Sequence, residues 1–298
     1  MARLLSTSHG THRGAFAPAD WARFAALSLI WGASFLLIAI GLDAFAPGVV
    51  TWGRVVSGAA VFLFVPGARA PVGREDRARV VAVAVVWVAV PFTLFPLAEQ
   101  HVSSAVAGML NGATPIVTAV VASLLLRRLP GRLQVAGLAV GFLGVVLIAV
   151  PAAGEGSSEA IGVLMLLVAA SCYGVAINLV VPLQQRYGPM PVMARVLAIA
   201  AVLTAPFGLA GLPSSSFAWS SFLAVVVLGA VGTGFAFVLM GNLAGRVGGT
   251  RASFVTYLVP VVALVLGVAI RDEVVAAISI VGIGLVIGGA VLASRREV

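Results

Sequence analysis

The chain has no lysine: all 18 basic residues among its 298 positions are arginine. That excludes a phosphate-loop lysine and a Schiff-base lysine. With no G-x-x-x-x-G-K-[ST] motif, any transport is expected to run on gradients and not on ATP hydrolysis in this chain. The single cysteine, Cys172, excludes an intramolecular disulfide and a cysteine zinc cluster. Histidines number three and acids ten. An intramembrane serine protease needs a buried Ser with a His base, and the one His near an apolar segment, His101, falls at its surface end. Paired Asp within apolar segments, or the clustered His and acids of a zinc hydrolase, are missing too. The stretch Met1 to Asp20 lacks the apolar core and small-residue cleavage site of a removable signal peptide. No enzyme, cofactor or metal site is expected.

What is abundant is apolar. Hydrophobic residues make up 61% of the chain, charged residues 9%, and mean hydropathy is +1.14. One soluble core cannot hide that much apolar surface, so several membrane spans of about 20 residues are expected. The net charge of +8 does not mark a nucleic-acid partner, because the arginines sit in short connectors and not on one water-exposed face. Ten apolar segments fall near 21–41, 46–66, 79–97, 102–125, 132–150, 160–181, 191–211, 218–240, 251–270 and 273–293. None alternates with period two over a long stretch, so the fold class is an all-α integral membrane protein, not a barrel.

Charge orients it. Fifteen of the 18 arginines fall in, or within three residues of, the N-terminal tail, every second connector and the C-terminal tail. The opposite connectors carry Arg271 together with Asp43, Glu99, Glu155, Glu159, Asp272 and Glu273. Cytoplasmic loops collect positive charge, so both termini are expected in the cytoplasm.

The chain also repeats itself. Pro115 in "LNGATPIVTAVVASLLL" and Pro260 in "VTYLVPVVALVLGVAI" lie 145 positions apart, as do Gly137 and Gly282, and Gly144 and Gly289. "WGASF" at Trp31 has a weaker partner in "YGVAI" at Tyr173, and Arg54 has one in Arg195. The expected organisation is a flexible tail (1–20), a first five-helix repeat (21–150) and a second (160–293). An odd number of spans per copy inverts the second against the first, and inverted repeats build a shared midplane site with two gating states.

"WGASFL" in the first segment, "GATPIVTAVVASLLL" in the fourth and "GLAVGFLGVVLI" in the fifth resemble the EamA family of the drug/metabolite transporter superfamily, over nearly the whole chain. The resemblance implies a plasma-membrane carrier for small metabolites, often an exporter of amino acids or their relatives. Such proteins commonly place a Glu after the fourth helix, where this chain has Arg127 and Arg128; the second copy keeps Glu273. A lipid or lipid-linked metabolite flippase is the alternative, since a membrane-open groove would use similar residues. The expected partners are a small-molecule substrate and membrane lipid, and a homodimer is compatible with the sequence.

Arg54 is the sharpest candidate. A mid-span Arg costs about 2.5–3.5 kcal/mol to insert, so it usually faces a cavity or a partner. It reads either as a bidentate clamp for a substrate carboxylate or as an Arg bonded to backbone carbonyls at a helix contact. No Asp or Glu falls within the spans to pair with it. Arg195, near a helix end, is expected to snorkel to the inner surface. Trp31, Ser34, Trp52, Asn111, Thr114, Tyr173, Asn178, Thr256 and Tyr257 lie near the predicted midplane and are the candidate pocket lining, with interhelical hydrogen bonding as the plainer alternative. Pro115 and Pro260 are candidate hinges. Gly137, Gly141, Gly144, Gly282, Gly284, Gly288 and Gly289 suit close packing of the fifth and tenth helices. Glu99 and His101 read as a proton-sensing pair or as polar groups of an external turn.

The arginine distribution makes one prediction. A reporter active only in the cytoplasm should be active when fused after Val298 and silent in the 151–159 connector; the reverse pattern would overturn the orientation.

Overall fold

A backbone immersed in lipid has to satisfy its own N–H and C=O groups, which leaves helices or closed barrels. In the computed structural model, which describes residues 17–126, 131–153, 157–247, 252 and 254–294, every regular element among the described residues is helical. In chain order these are α1 (Pro18–Leu42), α2 (Pro47–Val61), α3 (Arg74–Ala98), α4 (Ser104–Asn111 and, after a break, Thr114–Leu126) and α5 (Arg132–Ala153). The second half supplies α6 (Ser157–Tyr187), α7 (Pro189–Gly211), α8 (Trp219–Val247), α9 (Val255–Arg271) and α10 (Ala277–Ser294).

Seven of them (α1, α3, α4 counted across its break, α5, α6, α7 and α8) are long and apolar enough to cross a membrane, and α9 and α10 are shorter apolar helices. The helix α2 departs most from expectation. It has 15 residues and ends at Val61, well before position 66. Pro66 disfavours helical geometry at Val65, and Gly67 turns the chain at φ 79°. At 1.5 Å per residue α2 spans about 22 Å, short of a hydrocarbon core of about 30 Å. The helix α1, by contrast, starts early: Pro18 opens it, and the Asp20 carboxylate accepts from the Ala17 N–H at 3.2 Å. Residues 1–16 of the expected tail, and Arg127 and Arg128, lie outside the described residues.

The contacts between helices pair up as an exchange of the two halves would require. The helix α1 packs on α9 and α8, while its counterpart α6 packs on α4 and α3. The counterparts α2 and α7 pack on each other, as do α5 and α10. Both α3 and α8 carry a π-helical turn, Ala84–Ala89 and Ala230–Phe235, starting 146 positions apart.

The α5–α10 pair is the closest contact, and glycine makes it. A side chain at Gly144 would strike the Gly282 carbonyl and Val286, and one at Gly289 would strike Gly137 and Gly141 backbone. Small residues let backbones approach where lipid offers no hydrophobic drive to helix association. Gly284 and Gly288 do not belong to this contact: nothing lies within 4 Å of a Cβ built at either. Position on the helix decides this, since they fall on the outward face. Outside the bundle, large apolar side chains such as Phe142, Leu143, Val202 and Trp219 remain exposed. They form the surface a lipid solvent accepts and water penalises.

Three charged contacts tie the halves together at the helix ends. The Arg246 Nε–H donates to the buried Asp20 carboxylate at 2.6 Å, joining the end of α8 to the start of α1. Arg186 at the end of α6 donates to Asp76 at 2.8 Å and Glu75 at 2.7 Å in the first turn of α3, and the Tyr187 hydroxyl joins Asp76 at 2.9 Å. At the opposite end Arg271 closes α9 onto Asp43 after α1, in a two-point contact of 2.7 and 3.0 Å.

Substituting Gly144→Val should lower the thermal unfolding temperature in detergent, because overpacking a tight contact costs about 1–3 kcal/mol. Gly284→Val, with open space around it, should leave the transition almost unmoved. Equal losses for both would show that the α5–α10 contact is not set by glycine.

Candidate functional site

The site is built where α2 backs onto the π turn of α8. Gly58 and Gly229 let the two backbones meet: a side chain at Gly229 would strike the Arg54 carbonyl and Ser57, and one at Gly58 would strike the Gly229 carbonyl and Thr233. The π turn also frees the Thr233 side chain. Its hydroxyl donates to the carbonyl of Leu228, five residues back, at 3.2 Å, and so turns a lone pair toward α2.

Arg54 uses that lone pair. Its Nε–H donates to Thr233 Oγ1 at 3.0 Å, and its guanidinium lies 3.6 Å over the Phe92 ring centroid. The residue is 7% exposed. A stacked, desolvated cation–aromatic contact is worth about 2 kcal/mol and offsets much of the cost of burying the cation. The two terminal amino groups have no hydrogen-bond partner among the described residues, and neither is among the fully enclosed unpaired atoms. The backbone-carbonyl alternative therefore does not describe this Arg, whose one bond is to a side-chain hydroxyl.

The rest of the wall follows α3. Phe92, Phe95 and Glu99 recur at helical spacing and so share one face. Phe95 stacks on Tyr173 of α6 at 5.9 Å and meets Phe35 of α1 edge to face at 5.4 Å. Glu99 caps the end of α3, and both its carboxylate oxygens are buried with no hydrogen-bond partner. Burial holds its carboxyl well above the usual carboxylate range; Glu273 adds to this, and Arg54 and Arg271 oppose it. Arg54 in turn lies within electrostatic reach of both the Tyr173 hydroxyl and Glu99. Above Glu99 opens a vestibule of about 310 Å³, lined by Ala39, Leu42, Asp43, Glu99, Gln100 and Arg271.

No acid lies within the spans, yet one reaches Arg54 electrostatically from just beyond α3. Glu99 stands two residues past the apolar segment 79–97, so span counting places it in an external turn; its carboxylate oxygens are nonetheless enclosed. Nor does Glu99 pair with His101, whose Nδ1 is 2.6 Å from the Ser158 hydroxyl. Glu273 has a third role: it accepts from the N–H groups of Ser104 and Ala105 and from the Ser104 hydroxyl at 2.7–3.0 Å, capping the start of α4. Arg195 donates to the carbonyls of Pro191 and Ala68 at its helix end.

Of the other candidates, Tyr173 joins Arg54, and Ser34 lies against Gly232 of the π turn, donating to the Ile30 carbonyl at 3.1 Å. Trp31 meets Phe237 edge to face, and Phe237 meets Trp87 in the same way. Three candidates spend their polar groups between helices. The Trp52 indole N–H donates to the Ala201 carbonyl at 3.1 Å, the Asn178 amide to the Thr118 and Gly174 carbonyls, and the Tyr257 hydroxyl to the Ala290 carbonyl at 3.2 Å. Thr256 is half-buried in the first turn of α9. Asn111 and Thr114 flank the break in α4 at Gly112 and Ala113, and Asn111 Oδ1 and Thr114 Oγ1 are buried without a partner. Pro115 stands just after that break, while Pro260 lies within an unbroken α9 and against Gly112. Phe92, Phe95 and Thr233 were missed; the i, i+3, i+7 spacing of Phe92, Phe95 and Glu99 was the available signal.

Replacing Glu273 by Ala should destabilise the protein by about 1–3 kcal/mol, because three donors at the start of α4 lose their acceptor. Glu273→Gln should recover part of that loss, as read by thermal unfolding in detergent.

Comparison with known proteins adds four findings. A family model described as the EamA-like transporter family matches twice, over residues 22–150 and 160–295. The chain is 27% identical over 277 residues to the "Probable terminal-alkyne amino-acid exporter" of Streptantibioticus cattleyicolor, covering 89% of this chain and 90% of that protein. It is also 27% identical over 282 residues to the "Uncharacterized inner membrane transporter YedA" of Escherichia coli, covering 90% of this chain and 88% of that one. A solved crystal structure superposes with a TM-score of 0.62 at 20% identity, covering 93% of this chain and 97% of the other, a likeness of fold.

Proposed function

Given that the chain belongs to the EamA-like transporter family and is a multi-pass membrane protein, we propose that it is a secondary transporter, not an enzyme, that exports amino acids or related carboxylates. It works by alternating access around a midplane site shared by two inverted five-helix repeats. The reading places the protein in the plasma membrane, and the skewed arginine distribution puts both termini in the cytoplasm. The observation that carries the substrate class is Arg54: a buried guanidinium held from below by Phe92 and from the side by Thr233, with both amino groups free. That presents a planar two-donor fork, the geometry that matches a carboxylate. Phe95 and Tyr173 supply an apolar wall beside it. The likeness to a relative named as an amino-acid exporter supports the same class.

A flippase is the second reading, and it draws on a different feature. An apolar groove of about 310 Å³ runs between α2 and α7, lined by Val56, Ala59, Phe62, Leu63 and Ala194, with Arg69 at its edge. Acceleration of labelled-phospholipid scrambling in proteoliposomes, without exchange of small acids, would favour that reading.

Arg54→Gln should leave folded protein but weaken binding of carboxylates by roughly ten- to a hundredfold, the worth of a charge-assisted hydrogen bond of about 1.5–3 kcal/mol. Arg54→Lys should recover only part, because an ammonium cannot make the two-point contact. Amides of the same substrates should bind the unaltered protein weakly and lose little more on mutation. Equal losses for acids and amides, with a lowered unfolding temperature, would make Arg54 a structural lock.

A further inference from the structure

The carboxylate of Glu99 is the one charged-type group of the site that the carboxylate reading leaves unused. It is buried, both oxygens lack a partner, and it lies within electrostatic reach of Arg54. From Phe92, under the guanidinium, to Glu99 is seven residues of α3, a rise of about 10 Å. An α-amino acid separates its ammonium nitrogen from its carboxylate oxygens by about 3 Å; with a hydrogen bond of about 2.9 Å at each end it bridges roughly 9 Å. The site thus offers a cation and an anion at about the separation a zwitterion requires.

We propose that Arg54 and Glu99 form a zwitterion site in which the substrate's ammonium group takes the place of a proton on Glu99. The proposal rests on the reading of Arg54 as the carboxylate anchor. With the site empty, the buried carboxyl holds a proton, since an isolated ionised carboxylate is costly to bury. When an amino acid binds, its carboxylate takes the two free amino groups of Arg54, and its ammonium needs an anionic acceptor. Glu99 releases one proton to the vestibule and accepts the ammonium N–H in its place. No bond other than that O–H breaks; one proton leaves and a net-neutral zwitterion enters, so the charge of the site falls by one. Binding of substrate and of proton are therefore mutually exclusive, and by linkage an inward proton gradient drives outward movement of the amino acid.

The neighbours fit this assignment. On α2 Arg54 and on α9 Arg271 favour the ionised form, while Glu273 beyond α9 opposes it. Tyr173 on α6 interacts electrostatically with Arg54, Asp43 after α1 is engaged by Arg271, and His101, two residues beyond Glu99, is engaged by Ser158. None of these takes a hydrogen bond from, or gives one to, the Glu99 carboxylate. The vestibule beside it gives the departing proton a route to water.

The test uses the full-length protein in detergent and in proteoliposomes. The probes are L-phenylalanine and L-alanine with their des-amino counterparts, hydrocinnamate and propionate. The unaltered protein should bind the amino acids roughly ten- to a hundredfold more tightly than the des-amino acids, releasing about one proton per amino acid and none per des-amino acid. Glu99→Gln should abolish proton release and bring the preference ratio to about one. Glu99→Asp should keep proton release with weaker binding, and it decides the matter if the Gln variant unfolds. Binding of both probe types without proton release, or a preference that Glu99→Gln leaves intact, would overturn the proposal while leaving the Arg54 anchor standing. Failure of the unaltered protein to bind either type would overturn both.

Discussion

A single buried cation organises the centre of this bundle. An arginine in an apolar interior has to find electron density or it will not stay folded inward, and Arg54 finds it in the Phe92 ring and the Thr233 hydroxyl. Each of those partners needs its own support. Phe92 is carried by α3, and Thr233 is offered to Arg54 only because α8 widens into a π turn and because Gly58, Gly229 and Gly234 let α2 lie against it. The glycines of "GAVGTG" thus serve an electrostatic end by a steric route.

Much of the architecture could be read from the letters alone. Apolar run length gave the all-helical, multi-pass character, and the 145-residue offset of Pro115 and Pro260 anticipated the exchange-related contacts, because apolar length and internal repetition are one-dimensional signals. Edges were less legible. The end of α2 at Val61 depends on Pro66 and the positive φ at Gly67, which hydropathy averages away. Side-chain direction was the harder loss. Trp52, Asn178 and Tyr257 look like pocket residues in sequence, yet each reaches a backbone carbonyl of a neighbouring helix. Glu99 looks like a loop residue, yet its carboxylate is enclosed. One turn of helix separates these outcomes, and that is below the precision with which a segment boundary can be drawn.

The charged residues fall into two populations with different physics. Arg54 and Glu99 are buried and lack a full complement of partners. The pairs at the helix ends, Asp20 with Arg246, Arg186 with Glu75 and Asp76, and Asp43 with Arg271, are complete, and every one of them joins the first half of the chain to the second. The exposed ones, Arg186 with Glu75 and Arg271 with Asp43, contribute about 1 kcal/mol or less each. They register the halves at the helix ends. The α5–α10 glycine contact, made of backbone against backbone, joins them along a helix face instead.

The paired π turns also set where this chain can change its length. An ordinary α-helix rotates by 100° for each residue added or removed, so a one-residue deletion in Arg77–Val83 would turn Phe92, Phe95 and Glu99 away from Arg54 together. A π turn already holds one residue more than the regular helix needs. Removing one within Ala84–Ala89 returns the segment to α-helical winding and leaves the downstream face pointing as before. The Ala84–Ala89 turn is therefore a length buffer: the stretch of α3 in which the register of the face bearing Phe92, Phe95 and Glu99 is insulated from loss of a codon.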